Sequence, residues 1–389
     1  MPGSPVSTTI EVADSIAHIS AAEWNRLAGD HPLLSHAFLN GLHSTGCAAP
    51  NTGWSPQFLL LKVDRRLEGA LPLYVKDHSY GEYVFDWAWA EAYERAGLNY
   101  YPKLLAAIPF SPVTGNRLLV SDACYRGPLI DAALQISRES RLSSFHCLFP
   151  TEAEADAMQE RGMMLRTGMQ FHWHNPGYKS FDEFLAGMSH DKRKKIRQER
   201  RKLHDAGVAF RRLTGSDISA TNWDFFHRCY VNTYRAHRST PYLTRAFFRH
   251  LAATMADNVL LIVAEREGKP IAAAFNMFNA DTLYGRYWGT TEYIPGLHFE
   301  TCYYQAIEFC IERKISRFEG GAQGEHKLAR GFVPVKTLSA HWLAHPEFAS
   351  AVERYLTRET VGMANYIDEL NERQPYKSAG LVLAKPVNP

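Results

Sequence analysis

The densest run of residues able to do chemistry lies between Tyr284 and Pro334. His298 and Glu300 open a helix-like stretch there. Glu319 ends a short apolar run directly before Gly320 and Gly321. A carboxylate or imidazole within hydrogen-bond reach of a reacting group can take its proton. Glu319 and His298 are therefore candidate general bases, with Glu300 as the alternative. A plainer reading stands beside each: a helix start favours an acid through its dipole, and a histidine there serves as a cap. The Gly320 and Gly321 amides, or the Lys327 ammonium, could hold a developing oxyanion. His326 and Arg330 crowd the same turn. Upstream, Tyr284, Arg286 and Trp288 alternate with Gly285, Tyr287 and Gly289, the pattern of a strand with aromatic faces and one cation. Its glycines admit a backbone or a ligand.

A second constellation is basic. From Lys192 to Lys202 the chain carries eight Lys and Arg side chains, among them Lys192, Arg193, Lys195, Arg197 and Arg200. Ser189 can cap this helix and Gly207 can end it. Ile196 and Leu203 are its only apolar residues, too narrow a stripe to bury much. It reads as a solvated helix face or as an electrostatic dock for a phosphate-rich partner such as a nucleotide cofactor, a lipid pyrophosphate or the tRNA backbone.

Several standard chemistries are missing. There is no phosphate-binding P-loop or dinucleotide fingerprint. Neither a zinc-protease nor a serine-hydrolase motif occurs. His172 and His174 have no Cys or carboxylate near them in sequence, so no metal is expected. The six cysteines are scattered and form no C-x-x-C pair, as in a protein of a reducing compartment. With 43 basic and 41 acidic residues the chain is near neutral, which argues against a wholly nucleic-acid-coating protein. No secretory signal is evident in Met1 to Ser20 and no apolar run reaches membrane-spanning length, so the expected setting is cytoplasmic.

The elements that must position these residues follow from pattern. Leu59–Val63, a charged turn and Ala70–Val75 form a hairpin signature. Some 200 residues later Leu260–Val263, a charged turn with Gly268 and Ile271–Phe278 repeat it. Tyr80-Gly81-Glu82-Tyr83 is then echoed by Tyr284-Gly285-Arg286-Tyr287, and Tyr93–Leu98 by Tyr293–Leu297. Matches in one order at nearly constant offset predict two copies of one domain. Asn175-Pro176-Gly177 breaks the pattern between them. The expected domains are 1–172 and 173–389. Mixed helices and strand pairs in both halves predict an α/β or α+β fold. The first copy lacks a strand ending in Glu-Gly-Gly, so it is expected to be the non-catalytic half.

The order of these features resembles the peptidoglycan-bridge aminoacyltransferases of the FemABX type. The shared features are a basic helix ending at Gly207, a hairpin, the 284–289 strand, Gln305-Ala306-Ile307, Glu319-Gly320-Gly321, His326-Lys327 and Gly331-Phe332. The resemblance is to FemAB-like, GNAT-related N-acyltransferases. It implies two tandem GNAT-like domains, mixed sheets flanked by helices, with transfer of an acyl or aminoacyl group to an amine. The donor would be acyl-CoA or aminoacyl-tRNA and the acceptor a small-molecule or lipid-linked amine, with tRNA a possible partner. Tyr287, Trp288 and Tyr304 would line the acyl or acceptor pocket, while Arg330, Lys327 and the basic helix would handle phosphates. Two departures leave the donor open. No long heptad pattern marks a tRNA-binding coiled-coil arm, and the nearest acetyl-CoA cradle, Arg286 to Thr291, lacks its last small residue. The other function considered is a non-catalytic GNAT-fold module that binds a cell-wall precursor or RNA.

Overall fold

The computed structural model describes residues 7–321 and 324–376. The start of the stretch read for a leader, residues 1–6, lies outside them. The chain forms two compact units. The first holds the described residues up to Gly168, with Tyr242–Phe247 and Lys336–Asn365. The second holds Met169–Pro241, Phe248–Val335 and the described residues from Tyr366 on.

The first break thus falls inside the strand Met164–His174. The later return to the first unit differs from the sequence reading, which gave all of 173–389 to one domain. Ser339–Leu343 pairs antiparallel with Ser144–Leu148. Leu343, Val352 and Leu356 pack on Trp89, Tyr93 and Tyr100. Burial of an apolar strand and helix face drives that return. A pattern read segment by segment carries no sign of it.

In the first unit, Trp54–Pro56, Tyr74–Lys76, Lys103–Ala106 and Ser144–Leu148 pair in that order before Ser339–Leu343. A smaller sheet combines Thr8–Ala13, Phe58–Val63, Arg66–Leu71 and Leu119–Val120. Leu59, Leu71, Leu104, Ile130, Phe145 and Met158 lie in its core. This unit also buries an ionic network. Lys103 Nζ donates to Ser79 Oγ at 2.8 Å, to Glu82 at 2.9 Å and to Asp86. Tyr100 joins Asp86 to His146, whose Nδ1 lies 2.8 Å from Nδ1 of His341.

In the second unit the order is Val208–Thr214, Val259–Arg266, Lys269–Phe278, Thr282–Thr290, Arg317–Glu319 and the end of Met164–His174. All neighbours are antiparallel except Thr282–Thr290 and Arg317–Glu319, which run parallel. A parallel pair needs a crossover, and Leu297–Arg313 supplies it as a helix.

The two hairpins match in detail. Asp64 and Arg65 turn the first at φ 47° and 70°, and Glu267 and Gly268 turn the second at φ 52° and 73°. Positive φ at both central residues is the turn whose twist suits a two-residue hairpin. Each hairpin also has a register shift, opposite Leu61/Lys62 and opposite Ala264/Glu265, which leaves Glu68 and Ile271 as the extra residues of the second strands. The other echoes do not match. Tyr284–Tyr287 is strand, but Tyr80–Tyr83 is turn and bend; Tyr93 is helical, while Tyr293 lies in a loop. Buried Glu82 explains the first difference: it reaches Lys103 rather than extending a sheet.

Among the described residues no helix is long and apolar enough to cross a membrane.

Candidate active site

The parallel pair sets the site. Thr282, Leu283 and Tyr284 align with Arg317, Phe318 and Glu319. Past that point the first strand runs on to Thr290, while the second ends and turns through Gly320 and Gly321. The strands therefore part at Glu319. A β-bulge marks the same place: Phe275 opposes Tyr287 and Asn276 opposes Gly285, leaving Arg286 as the extra residue. Such bulges re-aim side chains. The Tyr287 ring packs on Tyr230 and Phe275, with the Arg286 guanidinium 5.1 Å above it. Trp288 instead meets His298, ring centres 4.7 Å apart. These two candidate lining residues thus belong to different clusters. Gly289 admits a backbone, not a ligand: a Cβ there would sit 2.1 Å from the Cys229 carbonyl oxygen.

The crossover helix opens with three α-helical residues, Leu297–Phe299, then passes into a π-helical turn, Glu300–Tyr304. π-turns are rare and recur at functional sites. This one swings Glu300, Tyr303 and Tyr304 out of simple helical spacing. Glu300 is buried, and its carboxylate takes Arg200 at 3.1 Å and Gln305 at 2.7 Å. Arg200 also binds Glu308 at 2.8 Å. Burial raises the Glu300 pKa although Arg200 opposes it. Two partners thus occupy this candidate base.

His298 stands differently. Its ring lies 5.4 Å from Tyr303 and 6.0 Å from His326, and no hydrogen bond to it is recorded among the described residues. Burial, with the positive charges of Lys327 and Arg330 nearby, lowers its pKa to about 4. It is a neutral imidazole at physiological pH. His326 touches Tyr303 Oη at 3.2 Å. Burial pushes the Lys327 ammonium down to about 8, and its Nζ lies 3.5 Å from the Gly321 carbonyl oxygen. Trp288, Tyr303 and His326 therefore surround His298, and Lys327 adds a positive charge nearby.

Glu319 departs from that group. Phe318 packs into the core with Tyr303 and Phe332, so strand alternation directs Glu319 to the other face of the sheet. There it pairs with Arg317 at 3.3 Å and lies directly opposite His172 on the neighbouring strand. Burial holds His172 neutral. The Gly320 amide donates to Phe171 O at 2.9 Å, and a Cβ on Gly320 would collide with the Phe332 ring. Gly320 is therefore a packing residue in this state. Gly321, at φ 78°, faces open space. Among the described residues no group of three His, Cys, Asp or Glu could hold a metal ion.

The basic helix, His190–Asp205, is not wholly solvated. Arg200 is drawn into the Glu300–Glu308 pair, and Arg197 pairs with Asp182 at 3.1 Å. Lys192, Arg193 and Lys195 make no ion pair with a described residue. Sequence reasoning missed Glu199 in the same helix. It accepts Tyr304 Oη at 2.6 Å and Arg330 Nη2 at 3.0 Å. Arg330, 3% exposed, is clamped further by His326 O at 2.7 Å and by the Phe299 ring 3.3 Å below its guanidinium. It holds the frame together. The signal for Glu199 was present: Ile196, Glu199, Arg200 and Leu203 share i, i+3, i+4, i+7 spacing, one inward stripe. His172 and Tyr303 were missed as site residues because their neighbours are distant in sequence.

A family model described as FemAB-like, peptidoglycan biosynthesis/recognition, matches residues 15–378. Among solved structures, FemX aligns with a TM-score of 0.55 at 11% identity, over 89% of this chain and 100% of that one. L-PGS from Bacillus licheniformis aligns with a TM-score of 0.55 at 10% identity, over 89% and 99%. The C-terminal domain of a putative lysylphosphatidylglycerol synthetase from Agrobacterium fabrum gives 0.52 at 10%, over 86% and 96%. At these identities the likeness is one of fold, and the mixed α/β architecture expected from the sequence, sheets flanked by helices, is the one observed. No curated protein matches the chain. With the match running over nearly its whole length, the chain belongs to the FemAB-like family.

Proposed function

We propose that the second unit is an N-acyltransferase, which moves an acyl or aminoacyl group from an activated donor to an amine. The supporting observation is the neutral His298 imidazole beside Trp288, Tyr303, His326 and Lys327 at the place where the parallel strands part. The acceptor nitrogen attacks the acyl carbonyl and its proton passes to His298. The Lys327 ammonium steadies the tetrahedral oxyanion. Collapse forms the amide and breaks the donor's ester or thioester bond, and the leaving oxygen or sulfur recovers the proton. Glu319, with His172 opposite it, is the second candidate base. Glu300 serves better as an anchor for Arg200. In this reading Trp288 and Tyr303 line the acyl path, and Lys192, Arg193 and Lys195, which make no ion pair with a described residue, meet donor or acceptor phosphates. The family description favours an amine of a peptidoglycan precursor as acceptor.

Donor class is tested by thermal shift against a panel of acyl-CoAs and charged tRNAs. A ligand that binds the folded state raises Tm with its concentration. A concentration-dependent rise with one class supports the reading and names the donor; no shift with any of them counts against it.

A further inference from the structure

We propose that the first unit carries a ligand site of its own, a groove that takes a small organic oxyanion, phosphate or carboxylate, borne on an apolar body. The groove encloses about 530 Å³ between the end of the helix Arg126–Glu139, the end of the strand Val333–Leu343 and the residues after the helix Trp87–Arg95. That volume lies within the ~300–1,000 Å³ of small-molecule sites.

Its lining is one-sided in charge. Arg138 and Arg141 line it, and no carboxylate does. Neither arginine makes an ion pair with a described residue. The Arg138 guanidinium is held 5.4 Å over the Trp342 ring, which keeps its planar fork in place. Arginines also suit a helix C-terminus by countering its dipole, but that end is already closed. The amides of Ser140, Arg141 and Leu142 donate to the carbonyls of Ile136, Arg138 and Ser137 at 2.9, 3.1 and 2.9 Å. Arg141 moreover sits at φ 51°, a left-handed conformation costly for a residue with a side chain.

The second observation is independent of charge. Tyr93 lines the groove and is 3% exposed, yet its hydroxyl has no hydrogen-bond partner among the described residues. Its ring is fixed by Phe348 at 4.2 Å and Tyr100 at 5.2 Å. Nδ1 of His345 is likewise buried and unpartnered. Buried polar atoms are almost always paired, so two orphans sealed in the wall of one charged groove mark a place where a ligand oxygen completes the bonding once the wall yields to it. Leu98, 38% exposed, offers the apolar contact beside Trp342.

The test is calorimetric titration of the whole chain at low salt with phenyl phosphate, benzoate and inorganic phosphate. Saturable binding of phenyl phosphate or benzoate, at least ~10-fold tighter than inorganic phosphate, is expected; the tighter of the two identifies the anion. Arg138→Gln should weaken it about tenfold, as loss of a charge-assisted bond does. Tyr93→Phe should weaken it severalfold without losing the fold. Arg141→Asn tolerates the left-handed backbone and reports on the second arginine. Both arginines are exposed, so these variants stay folded, which a thermal melt checks. No saturation with either organic anion, or unchanged affinity in the Arg138→Gln/Arg141→Asn double variant, overturns the proposal.

Discussion

Glu199 joins Tyr304 Oη at 2.6 Å and the Arg330 guanidinium at 3.0 Å, so the basic helix is tied to the π-helical turn and to the turn before Gly331. Glu199→Ala strands a buried guanidinium, which costs about 3–5 kcal/mol. Tyr304→Phe removes one hydrogen bond to a charged acceptor, about 1.5–3 kcal/mol. Calorimetric melts should rank Glu199→Ala below Tyr304→Phe, and both below the parent.

Activity should have an unusual pH profile. A base must be unprotonated, and His298 loses its proton near pH 4 rather than 6.5. Lys327 must be protonated to steady an oxyanion, and it titrates near pH 8. The expected kcat/KM profile is level from about pH 5 to 7 and falls as pH rises through 8. Lys327→Met should lower the rate about 10²–10³-fold and remove the alkaline limb.

Acid should weaken the fold earlier than carboxylate titration alone would. Burial lowers His43 and His298 to about 4 and His146 to about 3, and His172 and His341 fall well below their ordinary value. Between those values and 6.5 the unfolded chain binds protons that the folded chain refuses, so stability drops as pH falls from 6.5 toward 4. Glu82, raised to about 7 by burial, works in the opposite sense between pH 7 and 4.5. Burial raises Glu154 and Glu300 in the same sense as Glu82, but the five lowered imidazoles outnumber these three carboxyls. Tm measured at pH 5 should lie below Tm at pH 7.

Gly289→Ala should be among the harshest single-methyl insertions. The new Cβ meets the backbone of Cys229, which cannot rotate away. Overpacking of this kind costs about 1–3 kcal/mol or more. A lowered urea midpoint with an unchanged m-value is the expected result.

The free cations of the basic helix give an ionic-strength signature. Replacing Lys192, Arg193 and Lys195 with Ala should weaken a polyanionic donor such as tRNA and reduce the salt dependence of its binding. Melting should hardly change, because these side chains carry no ion pair with a described residue.

Much of this was legible in the sequence, because local pattern dictates local structure. Leu59–Val63 and Leu260–Val263 announced hairpins, and both turns and bulges agree. The run from Phe299 to Arg313 announced a helix, and Ser316 to Glu319 a strand before glycines. What stayed hidden was non-local. Nothing near Glu300 indicates that Arg200, a hundred residues earlier, will occupy it. Strand alternation alone could not show that Glu319 and His298 leave opposite faces, since the packing of Phe318 decides it. The return of Lys336–Asn365 to the first unit depends on Leu343 and Val352 finding Trp89 and Tyr93. The echo at Tyr80–Tyr83 misled because the chemistry of Glu82 overrode the strand pattern.

The central claim is that His298 takes the proton when the second unit acylates an amine. The direct measurement is the mass of amine acceptors, peptidoglycan precursors included, after incubation with acyl-CoAs or charged tRNAs. The parent chain should form one amide product, and His298→Ala should lose about 10²–10⁴ in rate, with Glu319→Gln affected less. No acylated product from any donor, or full turnover by His298→Ala, would contradict the account.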